Sequence, residues 1–173
     1  NPVPYLKMRL DGPKNWSREF DLPLSDEKNL KTFLFSKSGA FGSDHPLFRW
    51  HRTLESSEIN KQLIQSNKFT RTFNPKKIIA VSRGISGRVT SLKIEGNIDS
   101  AIVLKLDEIR RVFRQLPSTL FVVKEIKEGK WLFSGGGYGH GAGMSQSGAI
   151  ELAKNGWTTK QILSHYYPKT KYG

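Results

Sequence analysis

Residues Gly135 to Gln146 read Gly-Gly-Gly-Tyr-Gly-His-Gly-Ala-Gly-Met-Ser-Gln, and six of these twelve positions are glycine. Glycine loses more backbone freedom on folding than any other residue. Such a run therefore destabilises a chain unless its backbone must turn sharply or approach something closely. The Tyr, His, Ser and Gln between the glycines are what a loop of this kind presents to a ligand. A helix is expected at once, over Ser147 to Lys154, so the stretch reads as a glycine loop feeding a helix amino terminus. A Walker loop is excluded, because no lysine followed by serine or threonine comes after the last glycine. A dinucleotide fingerprint needs an acidic residue about 20 positions further on in the same βαβ unit. Here Trp157 to Tyr167 reads as helix instead. Two readings stay open: a tight strand-to-helix connection whose glycines serve packing alone, and a binding loop. His140 and Gln146 add donors and acceptors that a bare turn does not need.

The rest of the chain supports a mixed fold. Asn1 to Pro23 reads as extended segments and turns, and Phe33 to Gly42 as an irregular loop. Ser56 or Ser57 caps a helix to about Gln65, with Ile59, Leu63 and Ile64 on one face. Lys77 to Val81 and Arg88 to Glu95 read as two strands joined by the turn residues Arg83-Gly-Ile-Ser-Gly87. Ala101 to Lys105 is a further short strand. Asp107 is placed to cap a helix with Ile109, Val112, Phe113 and Leu116 at i, i+3, i+4 and i+7, ended by Pro117. Its Arg110, Arg111 and Arg114 read as a solvated face. Phe121 to Ile126 and Lys130 to Ser134 read as strands joined through Glu128-Gly129. Asn155-Gly156 stops the helix after the loop, and Thr158 with Gln161 forms a capping box for a last helix, blocked by Pro168. The expected class is α+β: short antiparallel strands and hairpins with a few packed helices, and the glycine-rich loop before a C-terminal helix pair.

Charge narrows the partners. The net charge of +13 favours an anionic polymer or surface, and the basic residues are scattered along the chain. No zinc-finger, RRM or helix-turn-helix signature accompanies them, so nucleic acid is not the expected partner. Ten Phe, four Trp and five Tyr argue for a packed core. No apolar run approaches the roughly 20 residues that span a bilayer. The lack of cysteine excludes disulfides and thiolate metal sites.

His140 is the leading candidate for chemistry, because its glycine neighbours shield it poorly. A neutral imidazole donates from one nitrogen and accepts on the other, which suits a sugar hydroxyl or an amide. The bland alternative is a histidine bonded to backbone that pins the loop. Gln146 can both accept and donate, and Tyr138 can stack on a sugar face or pack in the core. Ser145 lacks the Gly-x-Ser-x-Gly elbow of a nucleophile, and either it or Ser147 is better placed as a helix cap. Met144 is expected in the core. Arg83 and Arg88 flank the tight turn that holds Ser86, where a guanidinium fork can take a carboxylate or simply lie in solvent. No metal and no cofactor is expected, since neither His140 nor His165 has a cluster of ligands around it in sequence. Nine glutamates are present, none in the glycine loop, and Glu151 reads as a surface residue.

Gly137-Tyr-Gly-His-Gly-Ala-Gly-Met-Ser-Gln-Ser-Gly-Ala149, then Ala153, Gly156 and Gln161-Ile-Leu-Ser-His-Tyr-Tyr-Pro168 with Thr170, resemble the carboxy-terminal signature of the SpoIID/LytB family. That family contains sporulation lytic transglycosylases and amidase enhancers. Pro4-Tyr-Leu6, Phe48-Arg-Trp-His51, the Ser57 to Leu63 helix, Ser86-Gly-Arg-Val89, Ile109-Arg110 and Leu116-Pro-Ser-Thr-Leu-Phe121 follow the family's order. The resemblance implies one SpoIID-like domain over residues 1–173 that lacks its N-terminal half. It also implies a peptidoglycan-processing role in the bacterial envelope. In the intact parent this is lytic transglycosylation, in which a glutamate upstream of Asn1 protonates the glycosidic oxygen and the muramyl 6-hydroxyl closes an anhydro end. The alternative is a non-catalytic wall-binding module that stimulates a cell-wall amidase. In either case Tyr138, His140, Ser145, Gln146, Arg83, Ser86 and Arg88 would face the glycan strand.

Overall fold

The computed structural model describes residues 8–36, 39–68, 73–97 and 100–171. Pro4-Tyr-Leu6 lies outside them. The order is α1 (Lys14–Ser17), α2 (Glu27–Phe35), β1 (Arg49–Glu55), α3 (Ser56–Gln65), β2 (Lys77–Arg83), β3 (Val89–Glu95), β4 (Ala101–Lys105), α4 (Asp107–Val112), β5 (Phe121–Lys127), β6 (Lys130–Gly136), α5 (Gln146–Lys154) and α6 (Thr159–Tyr166). The strands form two antiparallel three-stranded sheets, β1-β6-β5 and β2-β3-β4. The fold is α+β.

Binary patterning explains how the sheets meet. In β4, Ile102 and Leu104 are buried while Ala101, Val103 and Lys105 are exposed, the alternation that a half-buried strand requires. Leu92 and Ile94 of β3 join Trp50 and Leu54 of β1, Phe121 of β5, and Trp131 and Phe133 of β6 in one core. Ile59 and Leu63 of α3 and Ile109 and Val112 of α4 close it. A second, aromatic cluster lies on the opposite face of the β1-β6-β5 sheet. In it Trp16, Phe20 and Phe33 pack edge-to-face, with centroids 5.0 and 5.3 Å apart, against the half-buried Phe48, Leu120 and Val122.

Several expectations need correction. The chain before Pro23 contains α1, and α2 runs into the segment expected as a loop. Asp26 caps α2 through its bond from the Asn29 amide, and Leu30, Phe33 and Leu34 bury one face. Ser56 is not a cap, because its hydroxyl donates to the Gly129 carbonyl, and Ile64 is exposed. Asp107 is the first residue of α4; the cap position belongs to Leu106 at φ 48°, and the helix ends at Val112, although Phe113 and Leu116 stay buried. The strand β1 was not expected at all. It lies beside β6, the strand that runs into the glycine loop.

Arg49 ties α2 and the second cluster to β1. Its guanidinium donates to the carbonyls of Leu34 and Phe33, both at 2.8 Å, and of Phe48 at 3.0 Å, and it lies over the rings of Phe33 and Phe48. Two of these carbonyls are the orphans at the end of α2. Burial pushes its pKa down to about 10, still far above neutrality. The Arg49→Met protein, which keeps the stem but not the donors, is expected to lose about 2–3 kcal/mol. Thermal unfolding should then show Tm lower by about 5–10 °C.

Candidate functional site

The glycine loop leaves the end of β6 as a ribbon whose backbone alternates in sign. Gly137, Gly139, Gly141 and Gly143 have φ of 72°, 90°, 71° and 111°, while Tyr138, His140 and Ala142 do not share that region. Residues other than glycine pay heavily for such dihedrals, which accounts for glycine at every second position. The ribbon is anchored along one edge. The Gly137 amide donates to the Phe48 carbonyl at 3.1 Å, and Trp50 Nε1 donates to the Gly137 carbonyl at 3.0 Å. The Gly139 amide donates to the Pro117 carbonyl at 2.9 Å, and the Ser118 hydroxyl to that of Gly136 at 2.8 Å. The other side is open. Positions where a Cβ would stand on Gly137 and Gly139 have no atom within 4 Å, so bare backbone faces outward there.

The side chains between the glycines are presented, not packed. Tyr138 is 70% exposed. His140 is exposed, and its Nδ1 accepts the Ala142 amide at 3.0 Å. That bond favours the tautomer with the proton on Nε2, so the outward nitrogen is a donor. The histidine therefore pins the loop with one nitrogen and offers the other. Gln146 opens α5 with an exposed side chain. Of the two serines expected as caps, Ser145 caps α5, accepting the Gly148 amide at 3.1 Å, and Ser147 lies inside the helix. Met144 is exposed, contrary to expectation, because its amide is held by Tyr167 Oη at 3.1 Å and its side chain is left outside.

The arginines divide. Arg83 donates to the Gly87 carbonyl at 3.0 Å and the Phe121 carbonyl at 2.7 Å, which fixes the hairpin end to β5. Arg88 lies under the ribbon: a Cβ on Gly141 would overlap its guanidinium, and its Nη1 reaches the Gly139 carbonyl at 3.4 Å. Ser86 is half-buried in the turn between them. Arg110 does not follow the solvated-face expectation. It is half-buried with its guanidinium 5.8 Å from the Tyr138 ring centroid, while Arg111 and Arg114 are exposed.

Carboxylates near the start of α5 are committed to structure. Glu151, expected at the surface, accepts the Gly42 amide at 2.5 Å and is half-buried. Asp11 accepts from Tyr166 Oη at 2.8 Å and lies 3.0 Å from His165 Nε2. Burial, followed by the Asp11 charge, pushes the Tyr166 pKa well above the ordinary tyrosine value. Above pH of about 10 the unfolded chain ionises this phenol while the folded chain does not, so stability is full below that pH and falls as pH rises. A Tyr166→Phe protein should show a shallower loss of Tm between about pH 10 and 11. Among the described residues, no group of three His, Asp or Glu side chains could hold a metal ion, and no helix is long and apolar enough to cross a membrane.

Fold and site together define an α+β domain that displays an open glycine ribbon, with an imidazole donor, a phenol ring and a carboxamide along it. The chain belongs to the family described as a domain of unknown function, DUF8618, which it matches over residues 1–143. It is 31% identical over 125 residues to an uncharacterized protein of Brachyspira hyodysenteriae, covering 68% of this chain and 30% of that protein. It is 49% identical over 53 residues to the amidase enhancer of Bacillus subtilis, covering 31% of this chain and 7% of that protein. The chain thus spans under a third of either relative.

Proposed function

We propose that this chain is the glycan-binding part of a peptidoglycan-processing protein of the SpoIID/LytB type, acting in the bacterial envelope. The observation that carries the reading is the ribbon itself. An open strip of bare backbone with Nε2–H of His140, the Tyr138 ring and the Gln146 carboxamide suits a polymer that lies along a surface. Sugars offer hydroxyls and N-acetyl groups to donors and acceptors, and an apolar ring face to an aromatic. In this reading Ser145 holds the start of α5 in place, and Arg83 and Ser86 shape the turn that supports Arg88. The stretch shared with a protein named amidase enhancer supports a wall role and an amidase partner.

Two forms of this function differ in chemistry. Lytic transglycosylation needs a carboxylic acid beside the leaving oxygen. Asp11 and Glu151, the carboxylates near the start of α5, are bonded elsewhere, and the family resemblance implies an acid from outside this chain. The enhancer form needs no acid and is favoured by the same commitment of the carboxylates and by the named relative. Sedimentation with purified sacculi tests the shared core. The protein should co-sediment, and His140→Ala with Gln146→Ala, both exposed positions, should weaken retention by about tenfold or more while Tm stays within a few degrees. Unchanged retention would remove the ribbon from the site. Adding the protein to a wall amidase with sacculi then separates the forms: faster peptide release with no anhydro-muropeptides by mass spectrometry is the enhancer outcome.

A further inference from the structure

Half-buried arginines in this fold differ in what their donors hold. Arg49 donates to three carbonyls and Arg83 to two, all between 2.7 and 3.0 Å, so each has a structural employment for its fork. Arg88 and Arg110 do not. Among the described residues the one hydrogen bond of Arg88 is the long 3.4 Å contact to Gly139, and Arg110 Nε is fully buried with no hydrogen-bond partner. Neither forms an ion pair with a carboxylate among the described residues. They are close enough that the charge of Arg110, after burial, lowers the Arg88 pKa. Two guanidinium groups that meet adjacent positions of the glycine ribbon, Gly139 and Tyr138, with no carboxylate partner among the described residues, form a region that gains from an oxyanion.

We propose that Arg88 and Arg110 form a carboxylate subsite at the edge of the ribbon, beside Tyr138. The inference rests on the glycan reading and names the group that the site selects. A saccharide ring stacked on Tyr138 would place an acidic ether substituent, such as the lactyl carboxylate of muramic acid, within reach of the pair. Arg110 therefore becomes a specificity residue, on a helix where sequence periodicity had given it to solvent. Arg83, paired with Arg88 in the sequence, has its donors turned to β5 instead.

The test compares peptide-free glycan strands carrying free lactyl carboxylates with the same strands after chemical reduction of the carboxyls to alcohols, both titrated into the protein by calorimetry. The wild type should bind the acidic strand about tenfold or more tighter than the reduced one. Arg110→Gln should bind the two alike, and Arg110→Lys, which keeps charge but not the fork, should fall between. Equal wild-type affinity for the two strands would overturn the proposal while leaving glycan binding intact. Binding of neither strand would overturn both. Displacement by inorganic phosphate with indifference to carboxyl reduction would give the pair to a phosphate-bearing polymer and overturn the carboxylate. The wild-type comparison needs no variant, so a variant that fails to fold leaves the result decisive.

Discussion

Replacing Gly141 by alanine should unseat the ribbon. The residue has φ of 71°, where an L side chain costs about 1–2 kcal/mol. A Cβ there would also overlap the Arg88 guanidinium, so that side chain must swing aside and give up its contact with the Gly139 carbonyl, at about 0.5–1 kcal/mol. The Gly141→Ala protein should therefore unfold about 3–12 °C lower and should lose sacculus retention by more than the His140→Ala protein does. Gly139→Ala is the control. Its φ of 90° carries the same strain, but its Cβ would meet no atom within 4 Å. Its Tm should fall by only about 2–8 °C, the strain share alone. If the two variants lose equal stability, Arg88 does not support the ribbon.

The second large effect is expected at Asp11. Its carboxylate takes the Tyr166 hydroxyl and faces His165, which fastens the end of α6 to the N-terminal segment. Gly148 at the start of α5 leaves room for this contact, since a Cβ there would run into both Tyr166 Oη and Asp11. Asp11→Ala leaves a half-buried phenol and imidazole without their acceptor, at a cost of about 2–4 kcal/mol. Hydrogen exchange should show amides of α6 and of Met144 losing protection, while those of β3 and β6 keep theirs. Uniform loss across both sheets would mean that Asp11 supports the whole core and not a local fastening.

What was legible in the sequence was local. The Ser145 cap, the Thr158–Gln161 capping box and the strand alternation of β4 each depend on residues within a few positions of one another, and all three stand in the structure. The α2 signal was also local, with Asp26 before Leu30, Phe33 and Leu34, but the serines and glycines that follow drew the reading towards a loop. β1 was hidden because Arg52 interrupts the apolar face between Trp50 and Leu54, and Arg49 and His51 fill the other face with polar groups. Arg49 is explained only by carbonyls 15 residues away, and His51 by the Ser134 hydroxyl across the sheet. The position of Arg110 was equally out of reach. Helical periodicity places it on a polar face, and only tertiary packing brings Tyr138, 28 residues on, over its guanidinium. The exposed state of His140 and Gln146 agrees with a presented loop, whereas the glycan itself is inferred from chemistry and resemblance.

Glycan binding here depends on one imidazole offering Nε2–H from an open backbone strip. It is tested most directly by nitrogen-15 spectra of the histidine side chains during titration with peptide-free glycan oligosaccharides. His140 should start as the Nε2–H tautomer and shift saturably, together with the amides of Gly137, Gly139 and Gln146. Shifts confined to the hollow around Trp157 and His165, with His140 unmoved at saturation, would contradict it.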